Sequence, residues 1–318
     1  MSFLINAISF VYGCVVAVKK KLYDWKIFSS YKPKAYTISV GNIVAGGAGK
    51  TPCTIFLAEL LSKYGPCTVV VRPYKASHEN DMSPLQVHKD LTVSICGDEA
   101  KLIANRVPSA SVWVGNKAQT ARFVDESSRY IVVDDGFQHF ALQRDCDIVV
   151  LDAKNPFGKN RLRREAPTSL SRADLVIVNF KEEVFEFDEE AVRIYTKAPI
   201  IYAHYQVDGF FDLHDMPKQV PPGTKVALFS AIADDKPLRA CLEKLGLDIV
   251  KTLTLNDHEK ITNEQLRSLF SEAMICICTE KDRVKLAASD LPICWLKVSL
   301  RLSDPDHTLI AQLLQVPL

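Results

Sequence analysis

The chain has 318 residues, 47% hydrophobic and 24% charged, enough apolar content for one large or two ordinary globular domains. Its 39 Lys plus Arg stand against 38 Asp plus Glu, a net charge of +1 that gives no overall electrostatic case for a nucleic-acid partner. Nine cysteines without a C-x-x-C pair, Cys276 and Cys278 being nearest, argue against zinc or a disulfide framework and for reduced, mostly buried thiols. The first predicted element is a helix. Phe3 to Val18 is nearly all apolar, with Ser2, Asn6, Ser9 and Gly13 forming a narrow small-polar stripe at helical spacing. This run falls short of the ~20 residues that span a bilayer, and the basic start and cleavage site of a secretory signal are not evident. Lys19, Lys20, Lys21, Lys26, Lys32 and Lys34 follow against a single Asp24, with Tyr23, Trp25, Phe28 and Tyr31 interleaved. Apolar helix, aromatic belt and cations make residues 1–34 a segment expected to lie on an anionic membrane surface. The competing reading is a helix packed on the protein's own core.

Next, Tyr36 to Val40 predicts a buried strand and Thr54 to Leu61 a helix. Between them the chain reads NIVAGGAGKTP from Asn42 to Pro52. Gly49, Lys50 and Thr51 fill the last three positions of the phosphate-loop pattern G-x-x-x-x-G-K-[ST], but Val44 stands where its first glycine belongs. The expected nucleotide-binding loop is Val44, Ala45, Gly46, Gly47, Ala48, Gly49, Lys50 and Thr51. Its N–H groups and the following helix end wrap polyphosphate oxygens, Lys50 neutralises the β- and γ-phosphates, and the Thr51 hydroxyl holds Mg²⁺. The alternative is a glycine-rich turn with an incidental lysine.

Leu91 to Ile95 looks strand-like, and Asp98 after it looks like a helix N-cap ahead of Lys101 to Ala104. Tyr130 to Val133 predicts another buried strand, running into Asp134-Asp135-Gly136-Phe137-Gln138-His139. An apolar strand ending in aspartate is the Walker B arrangement, so Asp134 and Asp135 are expected at the nucleotide's Mg²⁺. Adjacent carboxylates repel unless a cation relieves them; the plainer reading is a pair capping a turn. Gln138 and His139 are candidates for lining the site, although a lone histidine after a strand is commonly a structural group. Arg161, Arg163 and Arg164 form a basic cluster suited either to a substrate phosphate or to a solvated loop.

Strands over Cys146 to Leu151 and Asp174 to Val178 continue the alternation with helices. Pro199 to His204 reads as a strand without a following helix. After Pro221-Pro222-Gly223 a second α/β unit is predicted: strand Lys225 to Phe229, a helix from Lys236, and strands Ile249 to Leu255 and Met274 to Thr279. Ile293 to Val298 is expected to pair with the Pro199 strand. The predicted fold is therefore α/β: a P-loop NTPase-like, mostly parallel sheet with helices on both faces over 35–206. A smaller C-terminal α/β lobe follows over 207–292, joined by a two-stranded linker, and residues 293–318 return a strand and helix to the first domain.

The strings "VGNIVAGGAGKTP", "GDEAKLIA", "VDDGFQHFALQRDCDIVVLDA" and "TEKDRVKL" resemble, in this order, the tetraacyldisaccharide 4′-kinases, the lipid A 4′-kinases of Gram-negative bacteria. The missing first loop glycine is typical of that family. The resemblance implies ATP- and Mg²⁺-dependent phosphorylation of the 4′-hydroxyl of a tetraacylated glucosamine disaccharide 1-phosphate, at the cytoplasmic face of the bacterial inner membrane. It implies a catalytic Asp98–His258 pair, with the histidine orienting the carboxylate and sharing the incoming proton. The chain departs from the family in two places. Val71-Arg72-Pro73-Tyr74-Lys75 keeps only the arginine and tyrosine of S-R-G-Y-G, which leaves Arg72 as a site-lining candidate. The stretch from Phe157 to Pro167, which carries Arg161, is shortened. Competing functions are a P-loop ATPase or GTPase of the partitioning or metal-insertion type, and a nucleotide-regulated membrane adaptor.

Overall fold

The computed structural model describes residues 2–181, 186–231, 235–255, 261–271, 274–286 and 291–316. The chain forms two compact units, residues 1–204 with 300–318 and residues 205–299. The first opens with helix α1 (Ser2–Asp24), strand β1 (Tyr36–Gly41), helix α2 (Lys50–Leu61) and strands β2 (Cys67–Val71) and β3 (Leu85–Gln86). Then come the short helix α3 (Val93–Cys96), α4 (Asp98–Arg106), β4 (Ser111–Val114), α5 (Lys117–Val124), β5 (Tyr130–Asp134) and β6 (Cys146–Asp152). β7 (Leu175–Phe180), α6 (Glu189–Arg193) and β8 (Ile200–Asp212) complete the run, and the chain leaves this unit within β8.

The strand order is β8-β7-β6-β1-β5-β2-β4-β3, parallel throughout except for antiparallel β3. Every residue of β2, β5 and β7 is buried, which explains their nearly continuous apolar runs: central parallel strands are covered on both faces. On β5 the cover is visible residue by residue. Thr54 of α2 bonds to Asp134, whereas Ile131 and Val133 pack with Ala121 and Val124 of α5. Alternate residues of a strand point to opposite faces, so α2 and α5 lie on opposite sides of it. Register sets Val40 opposite Asp134 and Gly41 opposite Val149, so β1 and β5 end nearly level while β6 runs on to Asp152. A Cβ on Gly136 would stand 2.7 Å from that of Ser39, so the turn after β5 closes this tightly only with glycine.

Two expectations change here. Leu91 to Ile95 is not a strand: Ile95 N–H donates to Thr92 O (3.0 Å) and Gly97 N–H to Val93 O (2.8 Å), closing the helical turn α3. The place beside β4 is already held by β3, so the β-branched run finds no ladder to join. Nor is Asp98 an N-cap. Gly97 takes that position at φ 87°, and Asp98 is the first residue of α4.

α1 turns one face to the unit and leaves the other bare. Ser9 and Val16 are buried, and the Ser9 hydroxyl accepts the Arg163 N–H at 3.0 Å while donating to Ile5 O at 2.7 Å. Leu4, Ile8, Phe10, Val11, Val15 and Val18 are exposed, Phe10 by 73%. Of the aromatics after it, Trp25 and Phe28 are exposed, but the Tyr31 hydroxyl donates to Asp125 at 2.7 Å. Tyr31 is thus part of the unit rather than of a belt. No described helix is long and apolar enough to cross a membrane.

The second unit contains β9 (Pro217–Lys218), β10 (Lys225–Ser230), α7 (Lys236–Lys244), β11 (Asp248–Thr254), α8 (Asn263–Ser268), β12 (Ile275–Thr279), α9 (Glu280–Arg283) and β13 (Ile293–Arg301). Its order is β11-β10-β12-β13-β8, with β9 antiparallel to β8, around Phe229, Cys276 and Trp295. The chain leaves it within β13, and α10 (Asp304–Leu313) belongs to the first unit, where Tyr36 donates its hydroxyl to Leu313 O at 3.1 Å.

Candidate active site

Three elements converge at the carboxyl ends of β1 and β5, the place where open α/β sheets collect ligands. The first is the loop from Asn42 to Gly49. Gly46, Gly47 and Gly49 have φ of 84°, 29° and 92°, a region glycine enters without steric cost. Gly49 is the N-cap of α2 and no side chain caps that helix, so its first-turn N–H groups stay open to an anion. Pro52 in that turn forfeits no intrahelical bond.

Val44 accounts for the absent first glycine. Its backbone pairs antiparallel with Arg163, between Ala45 N–H to Leu162 O and Arg164 N–H to Ile43 O, both 2.8 Å. An extended ladder suits a β-branched residue. The side chain is buried over Gly158, where a Cβ would come within 2.6 Å of Val44 Cγ1. The strap 157–165, whose arginines suit by sequence either a substrate phosphate or a solvated loop, thus walls the phosphate loop. Gln138 braces the same wall, its amide donating to Asn42 O (2.9 Å) and to Glu165 (2.8 Å), itself gripped by Arg172 at 2.7 and 2.9 Å.

The second element is the aspartate pair, and its two members differ sharply. Asp134 is 2% exposed and accepts the Thr54 hydroxyl at 2.7 Å. Burial, followed by the charges of Glu99 and Asp135, pushes its pKa up to about 6. Burial also raises Asp135, but Lys50, Lys117 and Arg164 outweigh it and hold that carboxyl below the usual carboxylate range. Lys50 Nζ lies 3.6 Å from Asp135 Oδ1, Arg164 donates to the same oxygen, and Lys117 donates to the Asp135 main-chain carbonyl at 2.5 Å. Asp135 itself sits at φ 52°. Asp134 is therefore a hard oxygen donor that feels Lys50 but forms no ion pair among the described residues, whereas Asp135 is already paired. Among the described residues no cluster of three or more His, Cys, Asp or Glu could hold a metal alone. A Mg²⁺ that takes one or two carboxylates and completes its shell from phosphate and water fits this arrangement.

The third element is the ring of groups around His139. Burial first, then Lys117, Lys19, Arg144 and Arg72, lower its pKa to about 3, so the imidazole is neutral. Its Nε2 is buried without a hydrogen-bond partner. Arg72, after β2, is paired with Glu79 at 2.9 Å. Asp98 is 4% exposed and accepts the Glu99 N–H at 2.9 Å; the Glu99 charge reaching Asp134 places the start of α4 beside the end of β5. Arg161 stands apart from this ring, 3.9 Å from Asp152 at the end of β6 and beside Val44, Gly46 and Ala48. His258 lies outside the described residues.

The sequence reading missed Lys117 and Glu99. Lys117 begins α5 behind an Asn116 cap that accepts the N–H groups of Ala118 and Gln119, so locally it looks like any helix start. The signal available was its position: a cation directly after a strand, Gly115 and a cap, at the same sheet edge as the loop.

A family model described as tetraacyldisaccharide-1-P 4′-kinase matches residues 1–316 of this chain. Similar proteins include the tetraacyldisaccharide 4′-kinase of Bdellovibrio bacteriovorus, 30% identical across 98% of this chain and 99% of that one. That of an Anaeromyxobacter species is 33% identical across 92% and 85% respectively. Among solved structures, LpxK from Aquifex aeolicus, crystallised in complex with ATP, superposes with a TM-score of 0.79 at 24% identity, covering 98% of this chain and 99% of that one.

Proposed function

The chain belongs to the tetraacyldisaccharide-1-P 4′-kinase family, and we propose how its strand ends carry out the transfer. It is a tetraacyldisaccharide 4′-kinase, an enzyme of lipid A biosynthesis. In this proposal ATP lies with its phosphates in the loop from Val44 to Thr51, against the open N-terminus of α2. Lys50 exchanges its contact with Asp135 for the γ-phosphoryl oxygens, offsetting the charge that spreads over them in the transition state. Thr51 and Asp134 would hold Mg²⁺, which would supply positive charge to offset that of the phosphates. Asp135 stays ionised beside Arg164 and Lys117 and fixes where those two cations stand.

The acceptor's 4′-hydroxyl attacks the γ-phosphorus, the bond to the β-phosphate oxygen breaks, and ADP leaves. The hydroxyl proton passes to Asp98, buried at the start of α4. Arg72, Lys117 and Lys19, whose charges converge on a neutral His139, supply the field for an anionic acceptor. The bare face of α1 and its lysines favour an anionic membrane surface, where the acceptor's acyl chains reside. These features support the reading of a peripheral location at the cytoplasmic face of the bacterial inner membrane.

One observation carries the reading: an uncapped helix and its lysine face two carboxylates, of which one is neutralised by three cations and the other is left for a metal. The test is transfer of labelled γ-phosphate from ATP to a tetraacylated disaccharide 1-phosphate. A labelled lipid is expected. Steady phosphate release that ignores the acceptor would instead make this a P-loop ATPase.

A further inference from the structure

Between Gly46 and Gly49 the backbone is polarised. Every carbonyl of this stretch accepts a hydrogen bond: Gly46 O from Asn42 Nδ2 (3.5 Å), Gly47 O from Lys181 Nζ, Ala48 O from Asn179 Nδ2 (3.1 Å) and Gly49 O from Cys53 N–H (3.4 Å). No described residue accepts from the N–H groups of Gly46, Gly47, Ala48 or Gly49. The two middle donors come from the end of β7, where Asn179 is fully buried. Lys181 is held in turn by Asp152 at the end of β6, 2.6 Å from its Nζ.

A trans peptide sets C=O and the following N–H in opposite directions. Fixing Gly47 O and Ala48 O toward β7 therefore aims the N–H groups of Ala48 and Gly49 away from it, with no partner in the protein. Left free, a glycine-rich loop samples many peptide orientations, and a ligand that needs one of them must offset that entropy on binding.

We propose that Asn179 and Lys181, with Asp152 fixing the lysine, are positioning residues that pin the loop carbonyls and so present the Ala48 and Gly49 N–H groups to the nucleotide's phosphates. This rests on the reading that the loop binds ATP. Lys181 needs no contact with the nucleotide, so its effect falls on ATP affinity and not on the chemical step or the lipid acceptor.

The experiment compares wild type, Lys181→Met, Lys181→Arg and Lys50→Ala by calorimetric ATP binding, steady-state transfer and thermal midpoint. Lys181→Met is expected to weaken ATP binding and raise the ATP KM about tenfold, the scale of one hydrogen bond from a charged donor. Its kcat at saturating ATP, its KM for the lipid and its thermal midpoint should stay near wild type, and Lys181→Arg should recover most of the affinity. Unchanged ATP affinity in Lys181→Met, no recovery with arginine, or a fall in kcat at constant KM would each overturn the inference. If wild type itself fails to bind ATP, the loop reading falls and takes this inference with it. If wild type binds, Lys50→Ala is weakened and Lys181→Met is not, only the inference falls.

Discussion

The two sides of the β5 strand end are built on different principles. On the nucleotide side, peptide groups are tied to scaffold side chains: Asn42 O by Gln138, Gly47 O by Lys181, Ala48 O by Asn179, with the strap at Val44 closing the wall. On the side proposed for the acceptor, Arg72, Lys117 and Lys19 bear on a neutral His139 whose Nε2 has no partner. One region fixes dipoles, and the other gathers charge. A polyphosphate presents the same oxygens in every cycle, so fixed N–H groups avoid reorganisation when it binds. A bulky lipid acceptor is drawn by a field that tolerates some variation in its placement.

The largest break in this comparison should come from the acceptor side. Asp98→Ala is expected to lower kcat by roughly 10²–10⁴ with little change in ATP KM. If activity merely tracks the folded fraction in a thermal melt, Asp98 acts on α4 and not on the hydroxyl proton. Lys50→Ala should lower the rate by roughly 10²–10³, since it removes the cation proposed to meet the γ-phosphoryl. Near-normal turnover there would remove the loop from the mechanism.

The aspartate pair sharpens the comparison because its members should respond with opposite signs. Asp134 has a folded pKa near 6, above its unfolded value of 3.8. Its stabilising contribution is thus full below pH 4 and is lost as pH rises through 6. Asp134→Asn should therefore raise the thermal midpoint above pH 6 by a few degrees while reducing Mg²⁺-supported transfer at least roughly tenfold. A variant that is both less stable and fully active would show Asp134 to be structural. Asp135, depressed by its cations, should behave the other way, contributing stability above pH 4 that acid removes.

Smaller effects belong to the periphery. Phe10→Glu on the bare face of α1 should weaken partition onto anionic vesicles by about tenfold, the scale of burying one aromatic side chain, with ATP binding intact. Unchanged partition would return α1 to a purely structural role. The smallest effect on activity is expected from Val44→Gly, which restores the usual pattern. It should lower stability by about 1–2 kcal/mol through lost packing over Gly158, with the ATP KM changing less than about twofold. A large gain in ATP affinity would mean that the valine hinders the loop.

What could be read in the sequence was whatever the chain states locally. The loop, its flanking elements and the aspartate-ended strand each occupy contiguous residues, and a period or a motif suffices for them. The strap's pairing with Val44, Arg164 on Asp135 and Lys117 beneath the same turn depend on segments up to 119 residues apart from Val44 to Arg163, a separation no local pattern reports. The false strand at Leu91 to Ile95 has the same origin: propensity was present, but the neighbouring ladder position was taken by β3. Tyr31 likewise reads as a membrane aromatic until Asp125, 94 residues away, is seen to accept its hydroxyl.

The separation of the two sides is most directly tested by measuring ATP binding and lipid phosphorylation on the same preparations of wild type, Lys50→Ala and Asp98→Ala. Lys50→Ala should lose both ATP affinity and transfer. Asp98→Ala should bind ATP as wild type does and lose transfer by at least roughly 10². Equal loss of ATP affinity in both variants would contradict a site divided between a fixed phosphate cradle and a charged acceptor side.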